Sequence, residues 1–365
     1  MKNCLSLLTM LGCALPACSQ LPPAAPINVV TPPKPARVFD DFSRNRDVRA
    51  QQIAAWPTRE QPKELAQALV DLQQGSVDER VAKLKAKALA DLIFVEGGSF
   101  VMGEWGQLRG MWSRSKYNAE QLSLFRSLFD RRPGHDVTLS SFWISRYKTT
   151  FAEFDVFTDA TGAPRAPTDK LDEPYRYPTS PAGVPWIRAD AYCHWLGKIT
   201  GKPFALPTEA QWEYAARSRG QNFIYATDDG HLRQGVNTAL NDVSRAFAPT
   251  EAGRKDSLGS PYPVGLFAPS PLGLYDMNGD GGDWVSDWYS PTYYDDSPVL
   301  NPTGPANGTE KVIRGFIDSA MIEPHVLMRR SRPPNGLKDD PTLPGKKMEA
   351  YNLDKGFRCA VQAQR

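Results

Sequence analysis

At 365 residues, with 43 Lys and Arg against 41 Asp and Glu, the chain is long enough to bury one large core or two ordinary ones and carries a formal charge of only +2. That balance lacks the basic footprint of a nucleic-acid binder, so nucleic acid is excluded as a partner class. With 32 prolines, 28 glycines, nine tryptophans and 13 tyrosines, turns rather than long helices are expected to fill much of the chain.

Residues 1–18 read as a targeting segment. Lys2 supplies a positive start, residues 5–15 form an apolar stretch too short to span a bilayer, and Leu15-Pro16-Ala17-Cys18 has the form of a bacterial lipobox. Pro16 is unusual in that motif, and the alternative is an ordinary secretory signal cut near Ala17. Either route leads to an oxidising compartment, the bacterial periplasm, where the two cysteines beyond this segment are expected to pair rather than stay free. With Ser19 rather than Asp after it, an acylated Cys18 would direct the protein to the outer membrane. Residues 19–58 are proline-rich and predict a stiff, extended tether.

Between residues 59 and 93 the pattern becomes helical. Leu65, Leu69 and Leu72 recur on one face, Gly75 interrupts, and Ser76 with Glu79 forms a capping box that opens a second helix through Leu84 and Leu89. A helical hairpin packed on the main domain is the expectation, with a partner-binding module as the alternative. From residue 94 onward the texture is short strands and turns. FVEGGSFVMG, residues 94–103, predicts a strand, a glycine turn and a second strand paired as a hairpin, and residues 137–147 alternate again. Ala189, Tyr192, Cys193, Leu196 and Ile199 then fall at helical spacing up to Gly201. Thr208 and Gln211 cap a further helix that carries Trp212, Ala215 and Ala216. The densest chemical feature is GLYDMNGDGGDW at residues 273–284, either a metal-binding turn or an elaborate hairpin corner.

GGSFVMG at residues 97–103, GVPW at 183–186, GKPFALPTEAQWEYAAR at 201–217, GLYDMNGDGGDWVSDWY at 273–289 and GFRCA at 356–360 stand in one order. Together they resemble the formylglycine-generating enzyme, or sulfatase-modifying factor, family over residues 94–361. The resemblance implies an α+β, elaborated C-type-lectin-like fold with little regular secondary structure, here preceded by the helical hairpin, with the family-like domain at residues 94–365. It also implies two structural calcium sites. One falls on Asp276, Gly279, Gly281 and Asp283, the other on Asn237, Thr238, Asp256 and Leu258. A glycine-rich turn that mixes carboxylates with backbone oxygens suits a hard cation. Asp283 stands where the family usually has Glu, and a turn whose Asx side chains satisfy their own backbone is the alternative. The family's eukaryotic members join the positions of Cys193 and Cys359 in a disulfide; a free buried pair is the other possibility.

The resemblance weakens at the catalytic centre. Aerobic formylglycine-generating enzymes bind Cu(I) through two cysteines near the C-terminus, because soft thiolates select that ion. In VIRGFIDSAMIEPH, residues 312–325, the thiol positions fall at or within a residue of Ala320 and His325, and there is no cysteine. No copper is therefore expected, and formylglycine synthesis by the known chemistry is not. Relatives on this fold include ergothioneine sulfoxide synthases, which need a histidine cluster, and a pyoverdine-maturation protein without the copper cysteines. Here His135, His194, His231 and His325 are widely separated. Asp318, Glu323 and His325 are the remaining candidate catalytic or metal-binding set, weighed against a solvated loop. The arginines of RRSRPP, residues 329–334, either pair with nearby acids or grip a carboxylate or phosphate. Trp284, Trp288, Tyr289, Tyr293 and Tyr294 are read as core aromatics, with ligand stacking as the alternative.

Two classes of function follow. In the first, the chain is an exported, lipid-anchored binding protein that keeps the scaffold and has lost the metal thiols. It would hold an envelope or secreted protein or peptide in an adaptor, assembly, regulatory or immunity role, an analogy with the resembled family, whose members occur among envelope lipoproteins and around bacterial secretion systems. In the second it is a metal-dependent oxidoreductase that modifies an exported polypeptide or a siderophore-like precursor.

Overall fold

The structure is a computed structural model that describes residues 61–104, 133–166, 176–233, 237–238, 262–278, 281–315, 326–339, 345, 347–349 and 355–362. The expected leader with Cys18 and the expected proline-rich tether lie outside these residues. Among the described residues no helix is long and apolar enough to cross a membrane.

The helical hairpin forms as its pattern predicts. Helix α1 (Lys63–Asp71) buries Leu65 and Leu69, and Leu72 at its end is buried as well. Gly75 turns the chain at φ +97°. Helix α2 (Val77–Ala90) then starts on a capping box in which Ser76 Oγ accepts from the Glu79 amide and the Glu79 carboxylate accepts from the Ser76 amide at 2.7 Å. These leucines share one core with the helices that follow, α3 (Phe151–Thr161) and α4 (Trp186–Thr200), and with Trp284 and Phe357. Each fully buried leucine contributes about 1.5–3 kcal/mol, which makes the hairpin integral to the body. Arg80 also bonds Asp159 of α3 at 2.7 Å, and Lys87 reaches both Asp91 and Glu153 at 2.7 Å. Burial by itself would lower the Lys87 pKa, but the two carboxylates override it and raise it.

Strands β1 (Leu92–Val95) and β2 (Gly98–Met102) do not pair with each other, which corrects the expected hairpin. β1 pairs antiparallel with β4 (Phe142–Ser145), whereas β2 pairs with β3 (His135–Leu139). The reason lies at the glycines. Gly97 donates to Ser141 Oγ, and a Cβ there would stand 2.3 Å from the Leu139 carbonyl oxygen. The segment therefore runs tightly past the β3–β4 turn and changes sheet instead of folding back.

β4 pairs further with β12 (Ala360–Val361), which in turn pairs with β5 (Phe204–Ala205). A second four-stranded sheet runs β11 (Lys355–Phe357), β6 (Gly282–Trp288), β7 (Lys311–Arg314), β8 (Arg329–Arg332). A two-stranded pair, β9 (Leu337–Asp339) with β10 (Lys347–Glu349), completes the strands. Helix α4 ends at Gly201 in left-handed conformation, and α5 (Glu209–Ala216) starts on the Thr208 and Gln211 capping box. Cys193 of α4 and Cys359 are joined in a disulfide that closes 166 residues. The mixture of short helices and small open sheets is the expected α+β architecture.

Candidate functional site

Helix α5 is buried on every side, so each of its charges must find a partner inside the protein. Glu209 and Glu213 stand four residues apart on one helical face. Arg314, the last residue of β7, reaches both, bonding Glu209 Oε1 and Glu213 Oε2 at 2.6 Å each and the Val326 carbonyl oxygen at 2.6 Å. Arg329 of β8 adds a fork onto Glu209 at 2.6 and 3.0 Å. Arg217 and the Gly103 amide both donate to Glu213 Oε1 at 2.9 Å. Burial opposes ionisation of Glu209, but Arg329 and Arg314 outweigh it and hold the carboxylate below its usual range. Burial likewise opposes the Arg314 charge and is overridden by Tyr294, Glu213 and Glu209, while the Tyr294 phenol is pushed well up by burial.

Asp287 of β6 lies at the start of the same helix, where its Oδ2 accepts from the Glu209 amide at 2.8 Å and from Ser286 Oγ at 3.0 Å. Burial, followed by the nearby Glu209 carboxylate, raises its pKa to about 7. His135, the first residue of β3, packs against Tyr294 with tilted rings whose centroids are 4.5 Å apart, and burial lowers its pKa.

A second ionic set lies across Trp212. Asp283 accepts from Lys148 at 2.8 Å through one oxygen, and from Arg358 at 2.8 Å and Trp212 Nε1 at 2.9 Å through the other. All four residues are buried. Burial would raise the Asp283 pKa, but Arg358 and Lys148 hold it down. With one anion shared by two cations, burial and the permanent Arg358 charge push the Lys148 pKa down against the pull of Asp283. The first set braces the end of β7 through Arg314, and Trp212 of the second set stands against the residue that follows it. The residue after β7 is Gly315, φ +74°, where a Cβ would lie 2.7 Å from Trp212 and 2.8 Å from the Met277 carbonyl oxygen. Only a residue without a side chain fits that corner.

The expected site residues separate into two groups. Gly279, Asp256, Leu258, Asp318, Glu323 and His325, with Ala320, lie outside the described residues. Asp276 accepts from the Gly265 amide through Oδ2 at 2.7 Å. Gly281 offers its carbonyl oxygen to Lys148 at 3.2 Å. Asp283, expected on calcium, is occupied by two cations and an indole N–H, a donor set that repels a further cation. In the other expected calcium set, Asn237 Oδ1 accepts from the Arg233 amide at 2.8 Å and Thr238 Oγ1 donates to the Asn278 carbonyl at 2.9 Å. Among the described residues no group of three His, Cys, Asp or Glu side chains is arranged to hold a metal. Cys193 and Cys359, the two cysteines among the described residues, are bonded to each other. Arg329, offered in the sequence as an anion grip or an ion-pair residue, takes the second role.

The linked set of Glu209, Glu213, Arg314 and Asp287, and the group around Asp283, went unread in the sequence. A usable signal was present: two glutamates four apart in a helix otherwise made of Ala, Trp, Tyr and Gln announce a buried charged face. Their partners, 105 and 120 residues away, carried no local mark.

A family model described as the sulfatase-modifying factor enzyme 1-like domain matches residues 78–363. The chain belongs to that family. It is 34% identical over 224 residues to a formylglycine-generating enzyme of Streptomyces coelicolor, covering 57% of this chain and 64% of that one. It is 27% identical over 297 residues to the serine/threonine-protein kinase Pkn1 of Chlamydia trachomatis, covering 74% of this chain and 38% of the kinase. The chain thus spans less than two thirds of either relative. The structure of PvdO from Pseudomonas aeruginosa aligns with a TM-score of 0.51 at 25% identity, covering 74% of this chain and 94% of PvdO. The fold also matches Treponema denticola variable protein 1, with a TM-score of 0.50 at 18% identity and coverage of 74% and 95%.

Proposed function

We propose that this sulfatase-modifying-factor-like chain is an exported, lipid-anchored protein that binds a protein or peptide in the bacterial envelope, as an adaptor, assembly or immunity-type component, and that it does not make formylglycine. One observation carries the reading: the two cysteines of the body are consumed in the Cys193–Cys359 disulfide, and residues 312–325, where the family has its copper thiols, contain none. Without a thiolate pair, Cu(I) has no soft ligands and the family's oxygen chemistry has no starting point. The leader with its Cys18 lipobox supports export and anchoring. Similarity to only part of a chlamydial kinase supports use of this domain as an accessory module. A calcium ion on the turn at residues 276–283 would draw on Asp276 and backbone oxygens rather than on the Asp283 carboxylate.

The deciding experiment is elemental analysis by mass spectrometry of residues 19–365 purified from the periplasm without chelator. Calcium, or no metal, with no transition metal supports the binding reading. Stoichiometric iron or copper overturns it in favour of an oxidoreductase and makes Asp318, Glu323 and His325 the first residues to replace. Separately, Cys18→Ser is expected to release the protein from membranes, and unchanged membrane association defeats the anchor.

A further inference from the structure

The far end of α5 from Glu209 closes on a turn in which Ser218, Arg219 and Gly220 all take left-handed backbone, with φ of +47°, +72° and +72°. Residues that carry a Cβ avoid that region. The turn does cap the helix, since the Arg219 and Gly220 amides reach the Tyr214 carbonyl at 2.9 and 3.0 Å. Glycine would do the same at either position without strain, so capping does not account for Ser218 and Arg219.

Across from this turn lies β2, and between them is an open cleft of about 520 Å³ lined by Gly98, Ser99, Tyr214, Ser218, Arg219 and Gln221, among others. Two polar atoms of its lining residues are buried without a hydrogen-bond partner. They are Ser218 Oγ, in a residue with no exposed surface, and Arg219 Nε. The Arg219 terminal nitrogen is held by Glu96 at 2.5 Å, so its charge is already met and Nε remains as a donor.

β2 contributes a further pair. Thr138 is the register partner of Ser99, yet its own N–H and C=O are used on the far side of β3, with the Val299 carbonyl at 2.7 Å and the Asn301 amide at 2.9 Å. Directly opposed residues of an antiparallel ladder exchange both bonds or neither, so the Ser99 N–H and C=O point away from β3. Further along this edge the Val101 carbonyl is taken by Arg217 and the Gly103 amide by Glu213. Ser99, beyond them at the cleft, has no such partner among the described residues.

A free N–H and C=O on one residue of a strand edge is the unit by which an extended chain adds to a sheet. We propose that this cleft binds an extended peptide backbone. The peptide bridges both main-chain groups of Ser99, with the Arg219 side chain beside it on the cleft wall. Because Val101 and Gly103 are already occupied, one bridge rather than a full strand forms, which suits transient capture. The assignment rests on the binding reading above and gives it a contact surface and a ligand chemistry.

The test selects a phage-displayed random dodecapeptide library on the purified full chain and titrates a recovered peptide against the parent, Ser99→Pro and Arg219→Gly. Proline at 99 deletes the free N–H and the exposed side-chain bond between Ser99 Oγ and Thr138 Oγ1, but no main-chain bond of the β2–β3 ladder. Glycine at 219 deletes the guanidinium and relieves the backbone, and its exposed pair with Glu96 is a small loss. The expected result is affinity weaker by about tenfold or more in both variants, slowed amide exchange at Ser99 in the bound parent, and a higher melting midpoint for Arg219→Gly. Peptides held equally by all three forms, or a library that returns none, overturn the cleft assignment. Stoichiometric iron or copper in the same preparation overturns the binding reading, whatever the library returns.

Discussion

The N-terminal helical hairpin and the strand ends around α5 belong to one folded body but are secured by different forces. The hairpin is held by leucines spaced along one face, with a few ion pairs at its margin. The region around α5 is held by fully buried ion pairs that, apart from Arg217 with Glu213, join residues distant in sequence. Apolar packing fails gradually, because a cavity partly collapses. A buried ionic brace fails abruptly, since loss of one member leaves an uncompensated charge in the core. The brace also fixes geometry, which suits the point where the chain leaves β7 at Gly315.

Perturbations of graded size sharpen that contrast. The largest expected effect is at the covalent tie: Cys193→Ser should cost about 5 kcal/mol in the chain-entropy picture, read by denaturant unfolding of oxidised parent against variant. Next, Glu209→Ala strands Arg329 and Arg314 and should cost about 3–5 kcal/mol. A loss under about 1 kcal/mol in that unfolding curve would show that the brace is not what holds β7 and β8. Leu69→Ala in the hairpin should cost about 2–5 kcal/mol through its cavity, with the strand region remaining native by near-ultraviolet circular dichroism.

The pH response separates the two regions further. Asp287 has its folded pKa raised to about 7 from an ordinary 3.8, so the folded state binds its proton more tightly than the unfolded chain does. Its contribution is complete below about pH 4 and is lost as pH rises through about 7, a decline on the order of a few kcal/mol that falls mostly between pH 4 and 7. Asp287→Asn should flatten that slope in urea titrations at the two pH values, and an unaltered slope would rule out Asp287 as its source. Smallest of all, Ser76→Ala removes the α2 cap and should cost about 1 kcal/mol by thermal unfolding, with no change in the α5 region.

What was legible in the sequence follows the same division. The capping boxes at Ser76 and Thr208, the Leu65, Leu69 and Leu72 stripe and the Gly201 helix end were readable because helix signals act over three or four residues. The family was readable because its motifs are local strings in a fixed order. The hairpin at residues 94–103 was misread for the converse reason. Glycine between two apolar runs marks a change of direction, but which strand each run joins depends on Ser141 and Leu139, more than forty residues on.

The candidate site shows the same limit. Asp283 in a glycine-rich turn read as a cation ligand, since turn composition is visible and long-range ion pairing is not. Lys148 and Arg358, 135 and 75 residues away, commit its carboxylate to a different task. By itself the sequence determined the helix caps, the family and the absence of a thiol pair at residues 312–325, all properties of residue identity and short spacing. Only the tertiary structure decided which charges neutralise one another, which sheet each strand enters and where a strand edge stays open, because each depends on groups brought together from remote parts of the chain.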